Sequence, residues 1–431
     1  MNKGRNPVLP PDICVADGEA HVFGQELYIY GSRDFEKETY CSDQYNVIST
    51  KDMMHWDIHE KSFDGNDVPW IKDKKRKHYP VTDMNLKNPT HMFQNMINSL
   101  PAPIRFWIKI SGKKNLNLGK IMPNQQYLFA PDCIEKDGKY FLYFCMADNS
   151  KGVAVAEKPE GPFEKPYRLP CGGIDPAIFI DDDGKAYYYW GQFRACGVPL
   201  NADMISFDAK KQYTILLQKK IMDFMRAVLC VKETESTTMY IHVYIGTINL
   251  HVLRMQLLQA RLDRLLIREL LLIMPNAIRN PGIFMGSIEE FLGQWYVFYH
   301  RSSENSMYHR RLCVEKIDFN EDGTITEVKM TSIGAGKAFE RREHLEGWRA
   351  CEVENGAYIK GTDLIMCDGS KAVFRYIYLD MTPQEVITNH TGNGKITVLA
   401  NGQKITDVQP GTYEITVVCE GNTVLHSITV N

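Results

Sequence analysis

Residues 136–145 read KDGKYFLYFC: a turn that ends in glycine, one polar residue, then an unbroken run rich in aromatic side chains. Asp-Gly ahead of such a run marks a tight hairpin feeding a strand. Three other passages share the design, FGQELYIYGS from Phe23, DDGKAYYYWG from Asp182 and LGQWYVFYHR from Leu292. The step from Gly138 to Gly184 is 46 residues, the length of one four-stranded propeller blade. From Gly184 to Gly293 it is 109, about two blades, so one copy is missing from the middle. From Gly24 to Gly138 it is 114, with the Lys- and Asn-rich stretch 71–125 reading as an insertion. The count predicts an all-β protein with a five-bladed β-propeller. A β-sandwich would not repeat its strands at this step.

The bulk numbers exclude some partners. A net charge of −3 over 431 residues gives no electrostatic reason for nucleic acid or an anionic membrane. Aromatic residues at 11%, 22 of them tyrosine, suit a β core and also a site that stacks on sugar rings. Eleven cysteines without a C-x-x-C do not form a disulfide or zinc pattern, and Cys14, Cys145 and Cys313 sit in apolar stretches as core thiols. The run Leu265 to Met274 is broken by Arg268 and Glu269 and is no membrane span. No apolar run of signal length stands in MNKGRNPVLPPDICVADGEAHVF, so a cytoplasmic location is expected. The propeller is assigned to residues 1–340. A charged, helix-compatible connector, AFERREHLEGWRA, leads into residues 345–431, whose alternation predicts a small β-sandwich.

Asp17, Asp132 and Asp175 each stand just before or at the start of a predicted strand, two of them beside proline. Alone, each reads as a turn cap. Three in the same relative place predict a shared central pocket. The passages NPVLPPDICVADGEAHVFGQELYIYGSRD, FAPDCIEKDGKYFLYF, GGIDPAIFIDDDGKAYYYWG and GSIEEFLGQWYVFYHRSS together resemble glycoside hydrolase family 43 over about residues 6–210 and 286–335. That resemblance implies an inverting glycosidase of the β-xylosidase or α-L-arabinofuranosidase type, acting on plant cell-wall xylosides and arabinosides. Asp17 matches the family's general base and Asp175 the aspartate that orients the general acid. Asp132 and Arg301 match positions lining the sugar site. No cofactor is required; a structural metal at the propeller axis is compatible with the family, with no ligands assigned. Gly18 stands where the family has proline, which should loosen the loop aiming Asp17. The last passage, ACEVENGAYIKGTDLIMCDGSKAVFRYIYLD, resembles the carbohydrate-binding sandwiches fused to such domains.

One span breaks the pattern. Residues 211–281 hold a single glycine, Gly246, and LLQARLDRLLIRELLLIM from Leu257 reads as helix where a blade belongs. The family's general acid, a Glu in a Glu-Gly pair, should stand here and does not. Back-translating KIMDFMRA as AAG ATT ATG GAT TTT ATG AGG GC and starting two bases later gives Asp-Tyr-Gly-Phe-Tyr-Glu-Gly. The same offset turns VKETESTTMYI into a run containing Asn-Gly-Lys-Tyr-Tyr-Tyr, the missing fifth copy of the repeat. Residues of about 211–284 therefore read as out of frame, the acid's codon straddling Met225 and Arg226, and the family's axial His replaced by Met285. Glu233 and Glu235 are poor substitutes, and Glu289 or Glu290 would supply the acid only if the span were a genuine insertion. The expected function is a glycoside hydrolase impaired by this loss. The alternative is a carbohydrate-binding pseudoenzyme.

Overall fold

The computed structural model describes residues 3–35, 39–77, 124–181, 183–191, 196–214, 225–233, 236–245, 249–257, 266–272, 286–319 and 328–431, and within 213–285 the backbone only. Five antiparallel sheets follow one another along the chain. The first holds β1 (Cys14–Phe23), β2 (Glu26–Asp34), β3 (Gln44–Thr50) and β4 (Asp57–Asp64). The second holds β5 (Leu128–Lys136), β6 (Lys139–Met146), β7 (Ser150–Ala156) and β8 (Glu164–Gly172). The third holds β9 (Ala177–Ile180), β10 (Ala186–Trp190), β11 (Cys196–Pro199) and β12 (Tyr213–Thr214). The fourth runs β13 (Met225–Glu233), β14 (Ser236–Ile245), β15 (Asn249–Leu257) and β16 (Leu266–Leu272), and the fifth β17 (Ser287–Phe291), β18 (Gln294–Ser303) and β19 (Ser306–Ile317). Each is a meander in chain order, the blade pattern that the repeat predicts.

The hairpin reading is visible in the backbone. Asp137-Gly138 and Leu292-Gly293 both have positive φ at both central residues, the twist that lets two-residue loops join antiparallel strands. A Cβ on Gly138 would meet nothing within 4 Å, so glycine is there for its φ of +75° alone. Gly138→Ala should cost about 1–2 kcal/mol, seen as a lower urea midpoint at unchanged slope.

The sheets stack through their faces. Tyr28, Tyr30 and Val47 of the first sheet pack with Leu142, Phe144 and Met146 of the second, and Phe141, Tyr143 and Val153 with Ile178, Tyr188 and Trp190 of the third. On the other side of the first sheet, Ile29 and Ile48 share a core with Phe298, Leu312 and Val314 of the fifth. The first strands thus lie side by side, β1 next to β5 and β17, and β5 next to β9.

The helix expected from Leu257 onward is not formed where the structure describes that stretch. Leu266–Leu272 is β16, paired antiparallel with β15. A run of Leu and Ile satisfies either period, and an open strand edge beside it overrides helix propensity. The connector 338–350 is likewise not helical: Phe339–Glu340 and His344–Glu346 are strands, followed by a 3₁₀ turn at Gly347–Arg349. Phe339–Glu340 already pairs with Lys371–Leu379, so the C-terminal sheets begin ahead of residue 345. One sheet is led by Lys371–Leu379 and Gly411–Glu420, the other by Thr423–Val430, and Phe374, Ile377, Ile415, Val417, Leu425 and Ile428 fill the space between them. Cys14, Cys145 and Cys313 are buried free thiols. Among the described residues no helix is long and apolar enough to cross a membrane.

Candidate active site

The inner strand of the first sheet carries a bulge. Ala16 faces Ser32 and the next register pair is Glu19 with Tyr30, so Asp17 and Gly18 together oppose one residue. Asp17 has φ +55°, an uncommon conformation that turns its side chain out of the ladder. β5 has the same bulge: Phe129 faces Cys145, then Asp132 faces Tyr143. Registered this way, Asp17 is equivalent to Ala130, and Asp132 is equivalent to Glu19. In the third sheet Ala177 pairs with Tyr189 at the level of Asp132, which puts Asp175, φ +54°, at the level of Asp17. The three aspartates are therefore not in one place. Asp17 and Asp175 form an upper layer; Asp132 lies one layer deeper with Glu19. In the fifth sheet Ser287 occupies the lower level, and Met285 lies outside the described residues.

Asp17 is buried and held from three sides. Arg310 Nη1 donates to Oδ1 at 2.8 Å and to Oδ2 at 3.0 Å, and Ser32 Oγ donates to Oδ2 at 2.9 Å. The Asp17 amide donates to His300 Nδ1 at 3.2 Å. The same guanidinium grips Asp34 through Nε at 2.7 Å and Nη2 at 2.8 Å. Burial pushes Asp34 up from its ordinary value, and Arg310 opposes that push. A cation in contact with two buried carboxylates favours their charged forms, as a base requires.

Gly18 does not loosen this arrangement. Its carbonyl accepts from Ser287 Oγ at 2.9 Å, and a Cβ there would stand 2.9 Å from Ile29 Cγ2. A side chain there would crowd the buried Ile29 and Leu312.

In the lower layer, Asp132 accepts from the amides of Cys133 and Ile178 at 2.7 Å each and contacts His21 Nε2 at 2.6 Å. Burial works against a charged His21, but Asp132 outweighs it and His21 is raised. Burial pushes Glu289, beside it on β17, up to about 7, and the His21 charge opposes this. Asp175 is buried next to Lys151, a wholly buried lysine that burial lowers and whose Nζ donates to the Ile174 carbonyl at 3.1 Å.

Arg301 is not among these residues. It lies on the opposite face of β18 from His300, donating to Tyr299 Oη at 2.6 Å, Glu315 at 3.2 Å and the Thr331 carbonyl at 2.6 Å. That face packs on Cys351 and Val373 of the C-terminal sheets. Alternation decides this: consecutive strand residues point to opposite faces. Among the described residues no group of three or more His, Cys, Asp or Glu is arranged to hold a metal ion. Glu233 and Glu235 lie where no side chain is described.

Against this geometry, residues 106–240 match the family described as Glycosyl hydrolases family 43. The xylosidase/arabinosidase 43A of Humicola insolens is 36% identical over 42% of this chain and 45% of its own length. The β-xylosidase of Xylanibacter ruminicola is 32% identical over 43% of this chain and 46% of its own. Over these stretches the chain is similar to members of glycoside hydrolase family 43. Its match spans less than half the length of those two curated relatives. The fold agrees with family 43 structures. A β-xylosidase/α-arabinofuranosidase from a compost metagenome, solved with xylotriose, aligns over 76% of this chain and 98% of its own at 24% identity and TM-score 0.53. The arabinoxylan arabinofuranohydrolase of Bacillus subtilis, solved with cellotetraose, covers 99% and 98% at 18% identity and TM-score 0.52.

For a family 43 site, the sequence reading missed Arg310, Asp34, Ser32, His300, Glu19 and His21. Glu19 and His21 left a signal, alternating with Asp17 at the strand period. Arg310, almost three hundred residues from Asp17, left none.

Proposed function

We propose that the chain is an inverting glycoside hydrolase for xylo- or arabino-configured linkages in plant cell-wall saccharides, written here without its general acid. The observation that carries the reading is the Asp17–Arg310–Asp34 cluster at the level of Asp175, in a chain similar to this family. Inversion needs a base and an acid about 6.5–9.5 Å apart, with a water between base and sugar. Asp17 takes a proton from that water as it attacks the anomeric carbon. The acid gives a proton to the leaving oxygen, and Asp175 raises the acid's pKa through like-charge repulsion. Asp132 and its partner His21 support the floor beneath the reacting pair.

The acid itself belongs to the span 211–284. The out-of-frame reading places its codon across Met225 and Arg226, within residues 106–240 that match the family. Xylotriose, found in the metagenomic relative, is the saccharide to test for binding. Residual turnover of an aryl β-xyloside or aryl α-L-arabinofuranoside should vanish in Asp17→Asn while xylotriose binding by calorimetry persists. Binding without turnover, unchanged by Asp17→Asn, would instead make the chain a carbohydrate-binding pseudoenzyme.

A further inference from the structure

We propose that Glu19 is a positioning residue of this site: an uncharged acid one layer beneath Asp17 and Asp175 that, by staying uncharged, lets both remain carboxylates. The role rests on the glycosidase reading; the protonation state does not. The Glu19 side chain is 7% exposed, and among the described residues its Oε2 is buried without a hydrogen-bond partner. A buried carboxylate keeps its charge only beside a cation or several donors.

Among the described residues the surroundings supply neither. From its own strand Glu19 faces Asp17, with His21 two residues on; from β5 it faces Asp132, and from the turn before β9 Asp175. From β17 come Ser287, whose Oγ is engaged with Gly18 and Ala20, and Glu289, near His21. The neighbouring cations are committed elsewhere. Arg310 of β19 holds Asp17 and Asp34, His21 holds Asp132, and Lys151 of β7 donates to Ile174. The side chains of β13 lie outside the described residues. Burial first, then the charges of Asp132, Asp17 and Asp175, push Glu19 well above the ordinary carboxyl range. A fourth negative charge here would raise the pKa of the other three and draw a proton onto the base.

Glu19→Gln keeps the shape and cannot ionise, which makes it the deciding variant. A group whose folded pKa is raised contributes stability that is present below its unfolded value and lost as pH rises through the folded value. Melting temperatures of the full-length wild type and Glu19→Gln should therefore coincide near about pH 5 and diverge as pH rises. The variant should be the more stable by about 2–4 °C near pH 9. In whichever form of the chain turns over, the alkaline limb of kcat/KM should move to lower pH in Glu19→Gln, because the variant lacks the negative charge that, once Glu19 ionises, helps hold the proton on the general acid, and a merely structural role would not produce that shift. Three results overturn the proposal. The first is a variant less stable than wild type by a margin that grows with pH, which would make Glu19 charged and paired. The second is stabilisation of wild type, but not of the variant, by millimolar calcium chloride, which would make it an ionised cation ligand. The third is an unmoved alkaline limb, which would remove the positioning role even if the melting curves diverge. Absence of turnover in every form would defeat the glycosidase reading and this role with it, while the melting curves would still decide the protonation state.

Discussion

Arg310→Met should destabilise the protein by about 3–5 kcal/mol, the range seen when one partner of a buried charge cluster is removed. Methionine fills much the same volume, so the loss is electrostatic. Arg310, Asp17 and Asp34 are 2%, 5% and 5% exposed, and the guanidinium is the cation that both carboxylates contact. Without it the two must hold their charges in the interior with no guanidinium between them, or take up protons. They should take up protons, Asp34 first, because burial already pushes it up and Arg310 is what restrains it. The sign follows. In the variant the folded carboxyl pKa values lie above their unfolded ones, so stability falls as pH rises, and the deficit should be larger near about pH 8 than near about pH 5. Urea unfolding at the two pH values measures this. A protonated Asp17 is no base, so the acid limb of any pH–rate profile should move up in parallel. Arg310→Lys should recover part of the stability but not all, because an ammonium cannot make the paired contacts to Asp34 while reaching Asp17. Adding Asp34→Asn to Arg310→Met should recover part as well, since it removes one of the stranded charges. A deficit independent of pH would mean that the cluster contributes packing and not charge.

The parts of this molecule that a reader of the sequence could foresee are those with local causes. KDGKYFLYFC and its relatives specify hairpins through glycine φ and through alternating aromatic residues, and the sheets follow. Asp17 and Asp175 stood out as candidates because a lone aspartate at a strand entrance recurs as a local pattern and the passages around both resemble the family. Their equivalence, and the displacement of Asp132 to the lower layer, did not. A bulge shifts register by one residue, and no residue type announces it in β1 or β5. Arg301 and Arg310 show the same limit from the other side. Both are arginines on neighbouring strands of one sheet, and only the face each presents separates a contact of the base from a strut toward the C-terminal sheets. Glu315 completes that strut, accepting from Thr331 Oγ1 and N at 2.6 Å each and from Tyr299 Oη at 2.9 Å. The helix expected from Leu257 onward failed for a third reason. Its Leu-rich composition fits helix and strand alike, and the sheet edge beside it settled the matter.

Shifting the codons for about residues 211–284 into the neighbouring frame should raise turnover by about 10²–10⁴-fold, the usual worth of a positioned general acid. Asp17 is aimed by its bulge and held by Arg310 and Ser32, and Asp175 stands at the same level, the arrangement that the proposed base side of an inverting pair requires. The proposed mechanism then needs a proton donor on the far side of the sugar. The re-framed product places Glu-Gly at Met225–Arg226, where β13 begins, and Gly-Lys-Tyr-Tyr-Tyr where the repeat requires its fifth copy. The measurement has two parts, resequencing of the encoding DNA with peptide mass mapping across residues 205–290, and an assay of both forms on an aryl β-xyloside and an aryl α-L-arabinofuranoside. A restored acid should also restore an alkaline limb to the pH–rate profile, since loss of its proton halts leaving-group departure. Asp17→Asn in the re-framed chain should abolish the gain. If the re-framed chain folds, binds xylotriose and turns over no faster than the chain described here, the acid does not lie in this span. Glu289, raised to about 7 on β17, would then be the residue to substitute next.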